Sequence, residues 1–268
     1  MDKKDRSPLI SVVVPTYKQK NTIRENLIIL KTALDKLKYD YEIIVVVDGK
    51  VDNTFENAKK LKSSKIKVVG YEHNHGKGYA IRYGMARSKG EVVCFIDSGI
   101  DLNPGGLSIL LEYLELHDAD IVVGSKRHAD SVVIYPWNRR AISFFSQLFI
   151  RFLFGLNVRD TQVGMKVFKR RVIEDVMPRL LVKKFAFDIE MLAVAYSLGY
   201  KKIVEAPIEL SYDFSGSFVS KNLFIELFRT FWDTLAIFYR LKLLHYYDDN
   251  NKRKWKYDSE LEFKVNTG

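Results

Sequence analysis

The sequence predicts an α/β fold, a mostly parallel sheet flanked by helices, on three observations. Short, continuous β-branched runs such as "LISVVVP" (9–15) and "YEIIVVVD" (41–48) alternate with segments of helical periodicity through the first half of the chain. Runs of this kind suit strands covered on both faces. Strands separated by helix-length segments form right-handed βαβ units and hence parallel pairs. Finally, 268 residues with 47% apolar and 28% charged content can bury a core without a second domain, and no proline-rich or low-complexity linker interrupts them.

The elements follow in order. After the first strand, Asn21–Leu37 reads as a helix, and the second strand ends on Asp48. A helix over Asp52–Lys62 leads to the strand "IKVVGY", a helix over Gly78–Arg87 to "EVVCFID", and a helix over Pro104–Leu116 to "ADIVVGS". Pro104 suits a first helical turn, where its missing N–H costs nothing. In parallel sheets ligands bind beyond the carboxyl ends of the strands. The polar groups at those ends are Pro15–Tyr17, Asp48–Gly49, His73–Gly78 and Asp97–Asp101, which the topology therefore predicts in one crevice.

After Ser125 the alternation stops. A basic segment, "SKRHADSVVIYPWNRR", leads into the apolar stretch Ala141–Leu156, which carries Arg151 and is too short to span a bilayer. Then come "DTQVGMKVFKR", a helix over "FAFDIEMLAVAYSLGY" and a strand-like "KKIVEAPIEL". The long helix over Asn222–Tyr247 is apolar and aromatic, with Glu226, Arg229, Asp233 and Arg240 on a narrow stripe. Each of those charges would cost roughly 2.5–3.5 kcal/mol at mid-bilayer, which argues against a spanning helix. A helix lying in the membrane interface and a helix packed on the protein's own core both remain open. Pairing with a membrane protein or a second copy is a further possibility for it.

Net charge is +10 from 43 basic and 33 acidic residues, which favours an anionic partner. Nucleic acid is excluded as the first choice, because the lysines are scattered and no zinc-finger or aromatic RNP-like spacing occurs. Basic residues instead cluster beside the apolar stretches, pointing to a membrane surface. Cys94 stands alone inside an apolar run, as a small buried hydrophobe in a reducing compartment. "MDKKDRSPLISVVV" has no apolar segment long enough for a secretory signal before the first strand. His73 and His75 share a loop, but nothing completes a zinc pattern around them.

Six segments, "SVVVPTYKQKNTI", "YEIIVVVDGKVDNT", "HNHGKGYAIRYGM", "FIDSGIDLNP", "VVGSKR" and "DTQVGMKVFKR", stand in the order seen in family-2 glycosyltransferases of the GT-A (Rossmann-like) fold. The chain resembles most the dolichyl- and polyprenyl-phosphate mannose and glucose synthases, over roughly Ile10 to Ser211. The resemblance implies an inverting transfer of a hexose from a nucleotide-diphosphate sugar, GDP-mannose or UDP-glucose in type, to a polyprenyl phosphate on the cytoplasmic leaflet. It implies a catalytic domain over 1–219, with a donor half at about 8–125 and an acceptor half at about 126–219. An amphipathic helix and charged tail would occupy 220–268.

The resemblance also assigns residues. Pro15 and Tyr17 fall where the nucleoside is contacted. Asp48 is placed to accept a base N–H, and equally suits a turn before Gly49. Gly76 permits close backbone approach and Lys77 brings a point charge for phosphate. Asp97 matches the first carboxylate of the Asp-x-Asp signature that holds Mg²⁺ or Mn²⁺ on the diphosphate. Gly99 stands where the second Asp is usual, which leaves Asp101 as the other candidate metal ligand; a strand-end turn with Asp101 at the next helix N-terminus is the alternative. Val47, Lys18 and Gln19 also depart from the family pattern.

For the acceptor phosphate the candidates are Lys126, Arg127, Arg139, Arg140 and Ser143, with Arg139 and Ser143 matching an Arg-x-x-x-Ser pairing; a solvated basic loop is the alternative. Asp160, with Gln162 beside it, and Asp188 or Glu190 of "FDIE" are the candidate catalytic carboxylates, although Asp188 could equally cap its helix. Lys221 is a candidate diphosphate contact. Two other functions fit the same segments: transfer to a glycan or glycolipid hydroxyl, and a non-catalytic subunit that keeps the fold. A nucleotidyltransferase would need a Gly-rich, Arg-containing loop after the first strand, which is absent.

Overall fold

In the computed structural model residues 8–99, 102–133, 137–210, 223–249 and 255–266 are described, without the side chains of 133, 137–143, 223–227 and 266. The chain runs β1 (Leu9–Thr16), α1 (Ile23–Leu34), β2 (Asp40–Asp48), α2 (Thr54–Lys59), β3 (Ile66–Tyr71), α3 (Lys77–Ala86), β4 (Val92–Ile96), α4 (Gly106–Leu116) and β5 (Ile121–Ser125). It continues through β6 (Val132–Val133), α5 (Trp137–Phe154), β7 (Met165–Lys169), α6 (Arg170–Val176), α7 (Phe187–Ser197), β8 (Ile203–Pro207) and β9 (Glu209–Leu210). The last elements are α8 (Leu223–Phe238), continued by a π-helical turn over Tyr239–Leu243, then β10 (Trp255–Asp258) and β11 (Phe263–Asn266).

Seven strands form the main sheet, in the order β3-β2-β1-β4-β7-β5-β8. β1 pairs in parallel with β2 and β4, β2 with β3, and β5 with β8. The exception is β7, which is inserted antiparallel between β4 and β5. Its first residue, Met165, lies opposite Ile96 near the end of β4. The segment leading into β7 therefore reaches the same sheet edge as the carboxyl ends of the parallel strands.

Side chains alternate across the sheet as strand geometry requires. Val12 and Val14 of β1 join Leu27 and Leu30 of α1 and Leu107 and Leu110 of α4 on one face. Val13 joins Ala80 and Ile81 of α3 and Met191 and Leu192 of α7 on the other. α7 is buried over nine consecutive residues, Phe187–Ala195, which explains its near-uniform apolar sequence. Cys94 lies in the first of these layers, fully buried, and burial pushes its thiol pKa up.

The C-terminal segment differs from a helix followed by a charged tail. Ile237 of α8, Leu241 and Tyr247 enter the same cluster as α3 and α7, and β10 and β11 form an antiparallel hairpin that returns to α3. There Tyr79 bonds Glu260, and Arg87 donates to the Glu260 carbonyl and to Glu262 at 2.8 Å each. No helix among the described residues is long and apolar enough to cross a membrane. The boundary expected at 219/220 lies outside the described residues.

Glu190 fastens this segment to the core. Its buried carboxylate accepts the Leu181 and Val182 N–H groups at 3.0 and 2.8 Å and the Tyr247 hydroxyl at 2.6 Å, with Arg240 3.7 Å away. Burial raises the Glu190 pKa against these donors. Tyr247→Phe should therefore lower unfolding free energy by about 1–3 kcal/mol, since it strips a donor from a buried carboxylate. Urea denaturation measures this, and an unchanged midpoint would contradict the anchoring role.

Candidate functional site

Asp48 builds one wall of the crevice. Only 4% exposed, its carboxylate accepts Tyr71 Oη at 2.9 Å, Asn74 Nδ2 at 2.8 Å, the His75 N–H at 2.8 Å and the Gly76 N–H at 3.0 Å. Four protein donors saturate most of its lone-pair sites. Asp48 thus organises the loop before α3, a role different from the free acceptor for a base N–H that the resemblance implied. Gly49, at φ 86°, is required by the same loop, because a Cβ there would meet the Asn74 nitrogen at 2.7 Å.

The glycines before α3 also serve the protein's own packing. Gly76 sits at φ 100°, and a Cβ would lie 2.6 Å from the Lys183 carbonyl oxygen, which in turn accepts the Gly78 N–H at 2.8 Å. Gly76 was expected to give a ligand close approach. Instead, its N–H goes to Asp48 and its open side to the 183 backbone. Between these fixed points Lys77 starts α3 and turns its side chain towards the end of β4.

There Lys77 meets Asp97. Its Nζ lies 2.7 Å from Oδ1 and 2.9 Å from Oδ2 of the carboxylate. Burial works against the Lys77 charge, but Asp97 and Asp188 outweigh it and raise the pKa. Asp97 itself is held from the other side by β7. Its N–H donates to the Gly164 carbonyl at 2.8 Å, and a Cβ on Gly164 would fall 2.0 Å from its Oδ2. The following turn is tied down by Asn26 of α1, which donates to the Ser98 carbonyl at 2.7 Å.

Asp188 does not face the crevice. It is 3% exposed and pairs at 2.5 Å with Lys166, itself fully buried on β7, which also donates to the Val163 carbonyl at 2.7 Å. The Phe95 ring lies beside both ammonium groups, 5.0 Å from Lys166 and 5.8 Å from Lys77. The expectation of a catalytic carboxylate at Asp188 gives way to a buried pair under the site. The cause is that the first turn of α7 packs onto β7. Glu190, the other carboxylate of that turn, serves the C-terminal anchor instead.

On the far side of β7, Asp160 is 7% exposed; it accepts the Lys126 N–H at 3.3 Å and lies 3.7 Å from Lys126 Nζ. Burial raises its pKa, with Lys126 and Lys166 opposing. The Arg159 and Asp160 N–H groups are held by Glu205 of β8. Arg127 donates to Gln147 of α5, and its guanidinium lies 5.5 Å from the Phe144 ring. Pro15 is buried, whereas Tyr17 is exposed beside Lys18 at the end of β1, and Gln162 is exposed next to Asp160. Asp101, Lys221 and the side chains of Arg139, Arg140 and Ser143 lie outside the described residues.

Sequence reasoning missed Gly164, Lys166, Asn26 and Lys183. One signal was present for Lys166 and Asp188: each is a charge with apolar residues on both sides, and their signs are opposite. For a cation the described site offers one accessible carboxylate, Asp97, and no group of three ligating side chains among the described residues. That fits Mg²⁺ or Mn²⁺ bound through one carboxylate, phosphate oxygens and water, a mode in which the ligand supplies much of the shell. Gly164→Ala should weaken nucleoside-diphosphate binding on the order of tenfold by displacing Asp97. Gly106→Ala, whose Cβ would meet only the Met165 side chain at 3.4 Å, should leave it unchanged. Calorimetry with UDP compares the two.

The fold agrees with comparisons to known proteins. A dolichyl-phosphate beta-glucosyltransferase of Drosophila melanogaster is 32% identical over 205 residues, 70% of this chain and 63% of that protein. Its namesake in Homo sapiens is 30% identical over 69% of this chain and 62% of its own length, and that of Saccharomyces cerevisiae 28% over 92% and 79%. The chain thus spans under two thirds of several of these relatives. Among solved structures, glucosyl-3-phosphoglycerate synthase from Mycobacterium tuberculosis in complex with UDP superposes with a TM-score of 0.64 at 19% identity, over 94% of this chain and 85% of that one. The same enzyme with Mn²⁺, UDP-glucose and phosphoglyceric acid gives 0.62 at 20% identity, over 94% and 84%. These likenesses show a GT-A fold. Residues 11–177, from β1 to the end of α6, match the model of Glycosyl transferase family 2, and the chain belongs to that family.

Proposed function

We propose that this protein transfers a hexose from a nucleotide-diphosphate sugar to a polyprenyl phosphate of the dolichyl type, with inversion, at the cytoplasmic face of a membrane. The names of its relatives favour glucose as the sugar, and a uridine nucleotide is supported by the ligands of its structural neighbours. One observation carries the acceptor class: a guanidinium stands next to exposed apolar surface. Arg127, in the turn after β5, lies against α5 beside Phe144, and Phe145, Leu148 and Phe152 of that helix are exposed, Phe152 at 85%. A lipid phosphate has the matching chemistry, an anionic head on an apolar tail.

Each residue then has a task. Lys77 supplies a positive charge to the donor diphosphate, and the loop ordered by Asp48 fixes where that charge sits. Asp97 would hold Mg²⁺ or Mn²⁺ together with donor oxygens. When bound, the cation would offset the charge that develops on the departing nucleoside diphosphate. The acceptor phosphate is already anionic near neutral pH, so it attacks the anomeric carbon without a general base. Asp160 positions Lys126, and Lys126 and Arg127 orient the acceptor. A sugar hydroxyl would instead need a base, and of the carboxylates described at that side Asp160 faces Lys126 while Glu205 accepts the Arg159 and Asp160 N–H groups.

Membrane attachment is supported by α5 and α8 together. Ring contacts Phe149–Phe231 and Phe154–Phe238 set the helices side by side. Thr234 and Ile237 of α8 face inward, while Phe228 and Trp232 face out beside exposed Arg229. The inward face packs on the protein's own core, and the exposed aromatic face supports the interfacial reading of the helix. Its outward face, continued by α5 and Arg151, suits the interface of an anionic bilayer.

Radiolabelled UDP-glucose supplied with dolichyl phosphate in detergent should yield label in the organic extract, and EDTA should suppress it. Label in a glycan, or none from any donor, would overturn the reading. Arg127→Ala should lower kcat/KM for the lipid phosphate by roughly tenfold or more, through loss of a charge-assisted contact. In liposome flotation with anionic vesicles the protein should rise, whereas Phe228→Glu combined with Trp232→Glu should stay at the bottom yet keep its activity in detergent.

A further inference from the structure

We propose that Lys77 and the divalent cation are alternative partners of Asp97, so that the cation binds tightly only together with the donor diphosphate. The inference rests on the donor site of the proposed function and adds an order and a coupling to it.

Lys77 is within hydrogen-bonding distance of both carboxylate oxygens of Asp97. The rest of the carboxylate is hemmed in, because the Gly164 backbone leaves no room for a Cβ beside Oδ2. The lysine is not displaced by chance into this position. α3 is anchored at its start by Asp48, through the Gly76 N–H, and by the Lys183 carbonyl, through the Gly78 N–H. Asp188 adds to the field that favours the charged lysine, yet its own hydrogen-bonding oxygen is taken by Lys166. Lys77 thus has no second carboxylate within reach among the described residues, and Asp97 is its anchor.

Charge balance explains the coupling. Lys77, Asp97, Lys166 and Asp188 sum to zero. A lone divalent cation placed on Asp97 would leave a local charge of +2, with an ammonium group next to it in a partly buried site. A lone nucleotide sugar, with two diphosphate charges, would leave −2. Joint arrival restores zero: the cation takes Asp97, and the diphosphate accepts Lys77 in exchange. The single described carboxylate is consistent with this scheme, since a site that binds cation only with donor needs few protein ligands. By linkage the donor strengthens cation binding by the same factor as the cation strengthens donor binding.

The test is Mn²⁺ binding to the full chain, read by electron paramagnetic resonance of the free ion, with and without UDP. Wild-type protein should bind Mn²⁺ weakly alone and on the order of tenfold more tightly with UDP. Lys77→Met should bind Mn²⁺ more tightly than wild type in the absence of UDP, bind UDP more weakly, and lose most of the coupling. Lys77→Gln should behave likewise, which guards against a folding defect in one variant, and Asp97→Asn should abolish Mn²⁺ binding in either background. If wild type binds Mn²⁺ with UDP but the lysine variants show no gain for Mn²⁺ alone, the exchange is overturned and the donor site stands. Failure of wild type to bind UDP at all would overturn the donor site itself, and the exchange with it.

Discussion

The constraint on which this molecule depends is the antiparallel insertion of β7 between two blocks of parallel strands. In a sheet of uniform direction the segment entering a strand lies at the edge remote from ligand. Reversing β7 brings its entry, Asp160–Gly164, to the carboxyl ends of β4 and β5. The hydrogen bond from Asp97 to the Gly164 carbonyl is the seam that results. It joins a first half that ends in Lys77 and Asp97 to a second half that starts with Lys126, Arg127 and Asp160. Glycine at 164 is the condition for the seam, because any side chain would occupy the space of the Asp97 carboxylate.

The seam also brings charge into the sheet. Lys166, one residue into β7, is fully buried and is neutralised by Asp188 and the Val163 carbonyl. A buried pair of this kind contributes little net stability, since desolvation of both ions offsets their attraction, but removing one partner is severely destabilising. Burial accordingly pushes the Lys166 pKa down while Asp188 opposes it. What the pair does provide is a fixed electrostatic floor. It holds α7 to β7 and leaves Lys77 and Asp97, a few ångströms above the same Phe95 ring, as the pair that a ligand can rearrange.

Much of this was legible in the sequence where information is local. The runs "LISVVVP", "YEIIVVVD" and "IKVVGY" become β1, β2 and β3 almost residue for residue, because doubly covered parallel strands need continuous apolar character. Of the four strand ends expected to converge, three are joined, through Asp48 with His75 and Gly76 and through Lys77 with Asp97. What stayed hidden depends on partners distant in the chain. "MKVFK" carries lysines that disguise a central strand, and only Asp188, 22 residues away, makes Lys166 tolerable there. The glycines of "HNHGKG" read as ligand contacts because that sequence cannot show the Lys183 carbonyl they accommodate. The hairpin of β10 and β11 was invisible for a similar reason: its polar residues are satisfied by Tyr79 and Arg87 of a helix some 175 residues earlier.

The same distant contacts bind the two ends of the proposed reaction into one body. Tyr247, beyond α8, bonds Glu190; Glu190 holds the 181–182 backbone; and the next residue, Lys183, accepts the N–H of Gly78 at the start of α3. Every link is a hydrogen bond to a buried or half-buried group, where slack is costly. The helix pair proposed to face the bilayer is therefore tied through short steps to the turn that carries Lys77. In the proposed reaction the lipid phosphate would arrive from the membrane plane and the diphosphate from water. This linkage would set the height of the donor turn relative to the lipid-facing helices, so that the two substrates would meet across Asp97 and Asp160.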